Sequence, residues 1–194
     1  VGRVTFVDGA RHVPGYPDSG WYIDRNLSGD LIVEQAVHEM NVFCWMLGTH
    51  PLAACGFGGI NALEKPGRSI MDAYAVVYEF PHNLRVHYSH VVYAGNGFGG
   101  LHTRVFGEAG RTCELVNTTD LFVSKDGRRE KVDLPPLADA TEAAIRHFVD
   151  TVRSDGRILC DVEAGRRATL MSIMGREAML NRRVITWDEV ALES

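Results

Sequence analysis

Between residues 52 and 124 the chain is cut into short pieces, and this limits the fold more than any other feature. Alternating or apolar runs occupy 52–60, 71–80, 84–93, 101–107, 111–116 and 119–124. The stretches "EKPGR", "PHN", "GNGFGG", "GEAG", "NTT" and "KDGRR" separate them. Pieces this short are poor helices. Period-two alternation punctuated by Gly, Pro and Asn is the pattern of strands joined by tight turns. Residues 2–12, "GRVTFVDGARH", read as a further strand.

Helical patterns flank this region. "SGDLIVEQAVHEMNVFCWMLG", Ser28 to Gly48, reads as one helix with Ser28 or Asp30 as cap and Gly48 as its end. Residues 13–29, rich in Pro, Gly and aromatics, read as a loop before it. Near the other end, residues 139–156 carry Ala144, Phe148 and Val152 at fours, with Asp139 or Thr141 as cap and Gly156 as stop. Residues 161–183 give another helix, and "VITWDEV" a short closing strand or turn. The expected fold class is α+β: an open, mostly antiparallel sheet with helices packed on one face. Three helices are too few to cover both faces. "YAVVYEF" and "HVVYA" carry apolar or aromatic residues on both parities. The uncovered face is therefore expected in an oligomer interface, as a homodimer or homotetramer.

Composition removes other classes. The length, 194 residues, suits one domain, taken as residues 1–194, and is thin for two. A net charge of -5 without basic runs gives no nucleic-acid or polybasic membrane surface. No apolar run reaches the roughly 18–20 residues of a membrane span. The start carries no signal-peptide pattern and no Met, and is expected to lie partway through a larger protein. Cys44, Cys55, Cys113 and Cys160 form no CxxC pair. They read as buried, reduced thiols of a cytoplasmic protein. No GxGxxG opens a helix after a strand, and "GNGFGG" (95–100) reads as a hairpin loop. No set of His, Asp, Glu or Cys has metal-ligand spacing.

The long helix raises the chemical question. Glu34, His38 and Asn41 fall on one stripe, beside an apolar column of Val33, Val37, Met40, Cys44 and Leu47. An imidazole there can exchange a proton near neutral pH, a carboxylate can tune it, and an amide can hold a hydroxyl. Equally, Glu and His four apart make an ordinary surface pair worth a few tenths of a kcal/mol. Trp21, Tyr22 and Arg25 form an aromatic–Arg loop fit to stack on a sugar and bind its hydroxyls, or else to pin that loop to the core. His102 follows "GFGG" and is a candidate to line a cleft. His87 and His90, three apart on one strand, face opposite sides.

"SGDLIVEQAVHEMNVFCWMLGTHPLAACGFGG" resembles the start of the C-terminal domain of the Gfo/Idh/MocA oxidoreductases, the glucose–fructose oxidoreductase and inositol dehydrogenase family. Its acidic residue, His four later, Asp three further and Trp-Leu-Gly-x-x-Pro run correspond to Glu34, His38, Asn41 and Trp45–Pro51. "DAYAVVYEFPHNLRV", "RVFGEAGRTCEL" and the closing 148–190 segment resemble later parts of the domain. The resemblance implies a substrate-binding and oligomerisation domain of an NAD(P)-dependent oxidoreductase acting on a sugar, cyclitol or related polyol. The NAD- or NADP-binding Rossmann domain would lie in cis but outside this chain, which alone would be inactive. It implies His38 and Glu34 as catalytic residues, and Asn41, Trp21, Tyr22, Arg25 and His102 around the substrate. Asn41 departs from the family's Asp and cannot stabilise an imidazolium by charge. The family's catalytic Lys sits in a Glu-Lys-Pro motif ahead of the His helix. Here Glu64-Lys65-Pro66 follows that helix and reads as a turn around Pro66-Gly67. The alternative is a stand-alone, non-catalytic carbohydrate-binding or scaffold domain of the same descent.

Overall fold

A computed structural model describes residues 2–17, 19–136, 138–154 and 156–192. Its strands are β1 (Val4–His12), β2 (Ala53–Gly59), β3 (Ala73–Phe80), β4 (Leu84–Val91), β5 (Gly100–Gly107), β6 (Thr112–Val116), β7 (Asp120–Lys125), β8 (Arg128–Val132) and β9 (Ile185–Thr186). The helices are α1 (Arg25–Ser28), α2 (Leu31–Glu34), α3 (Val37–Leu47), α4 (Ala140–Ser154), α5 (Val162–Asn181) and α6 (Trp187–Ala191). All nine strands form one open sheet in the order β8-β7-β6-β5-β1-β4-β3-β2-β9. The α+β expectation holds, and every pairing is antiparallel except β1 with β4.

The alternation in β3 and β4 shows how the sheet is buried. Tyr74, Val76, Tyr78 and Phe80 of β3 and Leu84, Val86, Tyr88 and His90 of β4 are buried on one face. There they meet Met40, Phe43 and Cys44 of α3 and Leu170, Met171, Met174 and Ala178 of α5. Gly9 of β1 lies under α3. A Cβ there would stand 2.6 Å from the Phe43 ring and 3.1 Å from Tyr88, so the close approach of helix to sheet requires glycine. The other face presents Phe6, Asp8 and His12 of β1, Ala75 and Val77 of β3, and His87 and Ser89 of β4. His87 and His90 do lie on opposite faces. No described side chain of α4 is buried.

The long helix differs from expectation. It is broken at Gln35 and Ala36 into α2 and α3. Ala36 N–H reaches back five residues to Leu31 O at 3.3 Å, a π-type step that re-aims the second half. Asp30, not Ser28, caps α2 through Leu31 N–H, and Gly48 (φ 68°) ends α3. Residues 13–29 hold a 3-10 turn at Gly20–Ile23 as well as α1. Near the other end of the chain Asp139 caps α4, its carboxylate accepting from Thr141 and Glu142 N–H. The closing segment is β9 followed by α6. "KDGRR" is only in part a turn, because Arg128 and Arg129 open β8. Glu64-Lys65-Pro66 is a turn, closed by Arg68 N–H to Lys65 O at 3.2 Å, with Gly67 at φ 81°. Of the four free cysteines Cys44 alone is buried, and Cys55 and Cys160 are exposed. No described helix is long and apolar enough to cross a membrane.

Candidate functional site

The helix layer ends at α3, while the sheet continues through β5 and β6. Along that step lies a cleft of about 210 Å³, lined by Arg11, His38, Glu39, Val42, Leu101 and Thr103 among others. Its position follows from a pin beneath it. Arg11 Nε donates to Glu39 Oε1 at 3.1 Å and its Nη2 donates to the same oxygen. Tyr88 Oη donates to Glu39 Oε2 at 3.3 Å. Both ion-pair side chains are mostly buried, at 16% and 15% exposure. Charge-assisted bonds of this kind hold their geometry well. The residue before Glu39 is His38, which is exposed and also lines the cleft.

Glu34 stands one turn earlier, across the helix break. Burial raises its pKa, and the neighbouring His38 pulls it partly back down. A larger hollow of about 690 Å³ opens at the opposite sheet end among Arg3, Met46, Thr49, Phe80 and His82. It contains none of the residues selected from sequence.

The remaining candidates are placed elsewhere. Asn41 points to the segment before α5, with its Nδ2 3.7 Å from Cys160 Sγ. Arg25 is occupied: it donates to Ser69 O and pairs with the buried Asp30 carboxylate at 3.3 Å. Trp21 stacks on Tyr22 at 3.9 Å, and Tyr22 meets Tyr16 edge-on at 5.6 Å. This trio has the packing of a loop pinned to itself, and neither ring lines the cleft. His102 borders the cleft, but its imidazole reaches Asp8 at 3.6 Å on the other sheet face. Arg11, Glu39, Tyr88 and Cys160 were not selected from sequence. Only the adjacency of Glu39 to His38 could have pointed to any of them.

Behind the pin, His90 is fully buried, with Nδ1 3.1 Å from Tyr74 Oη and Nε2 without a hydrogen-bond partner. Burial, then Arg11 and His12, lower its pKa to about 3. Its imidazole is neutral at physiological pH.

No described set of three His, Cys, Asp or Glu is placed to hold a metal ion. A dinucleotide also finds no cradle among the described residues. The one parallel pair, β1–β4, is joined without a glycine-rich turn opening a helix, and Gly95–Gly100 lies between β4 and β5. What the arrangement offers is proton exchange and hydrogen bonding at the edge of a cleft.

The fold is a half-covered, open α+β sheet with His38 lining a cleft on its helix side. The chain belongs to the GFO/IDH/MocA family: the family model for its C-terminal domain matches residues 1–112. Members of this family are NAD(P)-dependent oxidoreductases. No curated protein matches. Among solved structures, UDP-N-acetylglucosamine 3-dehydrogenase from Acidithiobacillus ferrooxidans is 20% identical, with a TM-score of 0.75 over 92% of this chain and 54% of that one. Aldose–aldose oxidoreductase from Caulobacter crescentus, complexed with glycerol, is 15% identical, with a TM-score of 0.79 over 95% and 56%. An oxidoreductase from Agrobacterium radiobacter, in complex with NAD+, L-tartaric acid and magnesium, is 14% identical, with a TM-score of 0.77 over 97% and 58%. At these identities the likeness is one of fold. The chain spans just over half the length of each.

Proposed function

We propose that this chain is the substrate-binding and oligomerisation part of an NAD(P)-dependent oxidoreductase acting on a sugar, cyclitol or related polyol in the cytoplasm. The observation that carries the reading is the exposed His38 lining the cleft, next to the Glu39–Arg11 pair and electrostatically coupled to Glu34. In this reading a substrate hydroxyl sits against His38, which takes its proton as the carbinol carbon is oxidised. Glu34 balances the imidazolium that results. Thr103, also lining the cleft, would bind a neighbouring hydroxyl. The nicotinamide is held by residues outside this chain, since none described here fits it. The names of the A. ferrooxidans and C. crescentus structures, both carbohydrate oxidoreductases, support this substrate class.

Assembly is the second half of the reading, with two copies meeting through the open sheet face. The five longest strands, β1 to β5, lie side by side and run seven to nine residues each. At about 3.3 Å per residue and about 4.8 Å between strands they offer about 600 Å² of flat footprint. Two copies then bury about 1,200 Å², the lower end of a stable interface, before β6–β8 are counted.

The test is an assay of the whole native protein with polyols and both cofactors, beside His38→Asn. Turnover that falls by about 10²–10⁴ in the variant, with an unchanged urea midpoint, agrees with the proposal. A variant that keeps full turnover refutes the role of His38. A native mass of 21.5 kDa together with polyol binding but no turnover would favour the non-catalytic binding domain instead.

A further inference from the structure

Asp8 lies in β1, the middle strand of the sheet, on the open face. Three imidazoles surround it. His87 Nδ1 is 2.8 Å from Asp8 Oδ1, and His102 Nε2 is 3.6 Å from Oδ2. His12, further along the same face of β1, places Nε2 3.0 Å from Ser89 Oγ. Among the described residues, the other strand carboxylates on this face already have a basic partner. Glu114 receives Arg104 at 2.5 Å and Arg129 at 2.7 Å, Glu79 receives Arg85 at 3.0 Å, and Asp120 receives Lys131 at 2.7 Å. Arg104 Nη1 also reaches Asp8 Oδ2 at 3.7 Å.

The charges therefore balance when the imidazoles are neutral. Asp8 and Glu114 oppose Arg104 and Arg129, and the Glu79–Arg85 and Asp120–Lys131 pairs are each neutral. A face whose ion pairs are all internal, set among Phe6, Phe106, Ala75, Val77 and Val91, can be buried against its own copy without stranding a charge. Each imidazole that takes a proton breaks that balance by one positive charge. Asp8 is already opposed by Arg104, so added protons have no described carboxylate left to meet them.

We propose that the cluster of His12, His87 and His102 around Asp8 makes association of two copies through the open sheet face pH-dependent, so that acid separates them. This rests on the face-to-face assembly proposed above. In the pair, both clusters are buried near the centre of the interface, so the excess charge is doubled and shielded from solvent. On separation the clusters return to water, which solvates added positive charge. Burial and then His102 lower the pKa of His12, with Asp8 opposing them.

The test is sedimentation velocity of the protein at about pH 8 and about pH 5.5, with far-UV circular dichroism to follow folding. The dimer dissociation constant should rise at least about tenfold in acid, since each proton taken up on separation contributes up to about tenfold per pH unit. Salt near 1 M should blunt that rise by screening the repulsion. The triple variant His12→Gln, His87→Gln, His102→Gln should change less than about threefold. The single variant His102→Gln should fall between, and serves if the triple variant does not fold. A wild-type dimer that is equally tight in acid, or a triple variant that separates as wild type does, overturns the switch and leaves the assembly standing. A monomer at about pH 8 overturns the assembly and the switch with it.

Discussion

The buried His90 makes the stability of this fold depend on pH in a way that can be calculated. Its folded pKa is about 3, against an ordinary 6.5. A depressed imidazole favours the neutral form in the folded state. Its contribution is complete above pH 6.5 and is lost as pH falls from there toward 3. Each unit is worth ~1.4 kcal/mol. Between about pH 7 and about pH 5 the loss comes to about 2 kcal/mol, a large share of a typical domain's stability. The assay is a pair of urea melts at each pH, wild type against His90→Gln. Glutamine does not titrate and can still bond to Tyr74. Asp30 and Glu34, whose raised pKa values give the opposite slope, are present in both proteins and cancel. So does any linkage from His12. Wild type should lose about 2 kcal/mol more than the variant across that interval. Parallel losses would mean that His90 is hydrated or paired in solution, and the reasoning from burial would fail.

Two further outcomes test the packing that supports the site. Gly9→Ala should cost about 1–3 kcal/mol in a thermal or urea melt, because its Cβ would press on Phe43 beneath α3; an unchanged midpoint would show that α3 can lift off the sheet freely. Asp72 is buried, which raises its pKa, yet its carboxylate accepts from Asn61, Ala62 and Leu63 N–H, and its pKa is lowered overall. Asp72→Ala should therefore cost about 1–3 kcal/mol at neutral pH, and the difference from wild type should shrink as pH falls below 3.8.

What sequence could and could not reveal follows from the range of the interactions involved. Alternation and turn residues are local, so β2 to β7 and the opposite facing of His87 and His90 were readable. β8 was not, because Arg128, Arg129, Glu130 and Lys131 carry no apolar pattern. The break at Gln35–Ala36 leaves the hydrophobic spacing almost undisturbed, so "LIVEQAVHEM" reads as continuous. His102 went to the other face because its side is set by pairing with Ala10, 92 positions away by number. Arg25 is a polar residue in an aromatic loop, as a sugar-binding arginine would be. Only the fold brings it to Asp30 and Ser69, where its donors are used. Asn41 and Cys160 meet across 119 residues, and no spacing rule reaches that far.

The two outermost strands bear on how the molecule behaves at high concentration. One margin of the sheet is β8, with four charged residues in five. The other is β9, only two residues long and backed by α6. A charged margin and a stunted one both resist the addition of a further strand from another chain. Growth by strand addition has no natural limit and ends in fibres, whereas contact between like faces is used up by one partner. The sheet is thereby biased toward assemblies of finite size. Neutralising Arg128, Arg129 and Lys131 would remove the protection on one side.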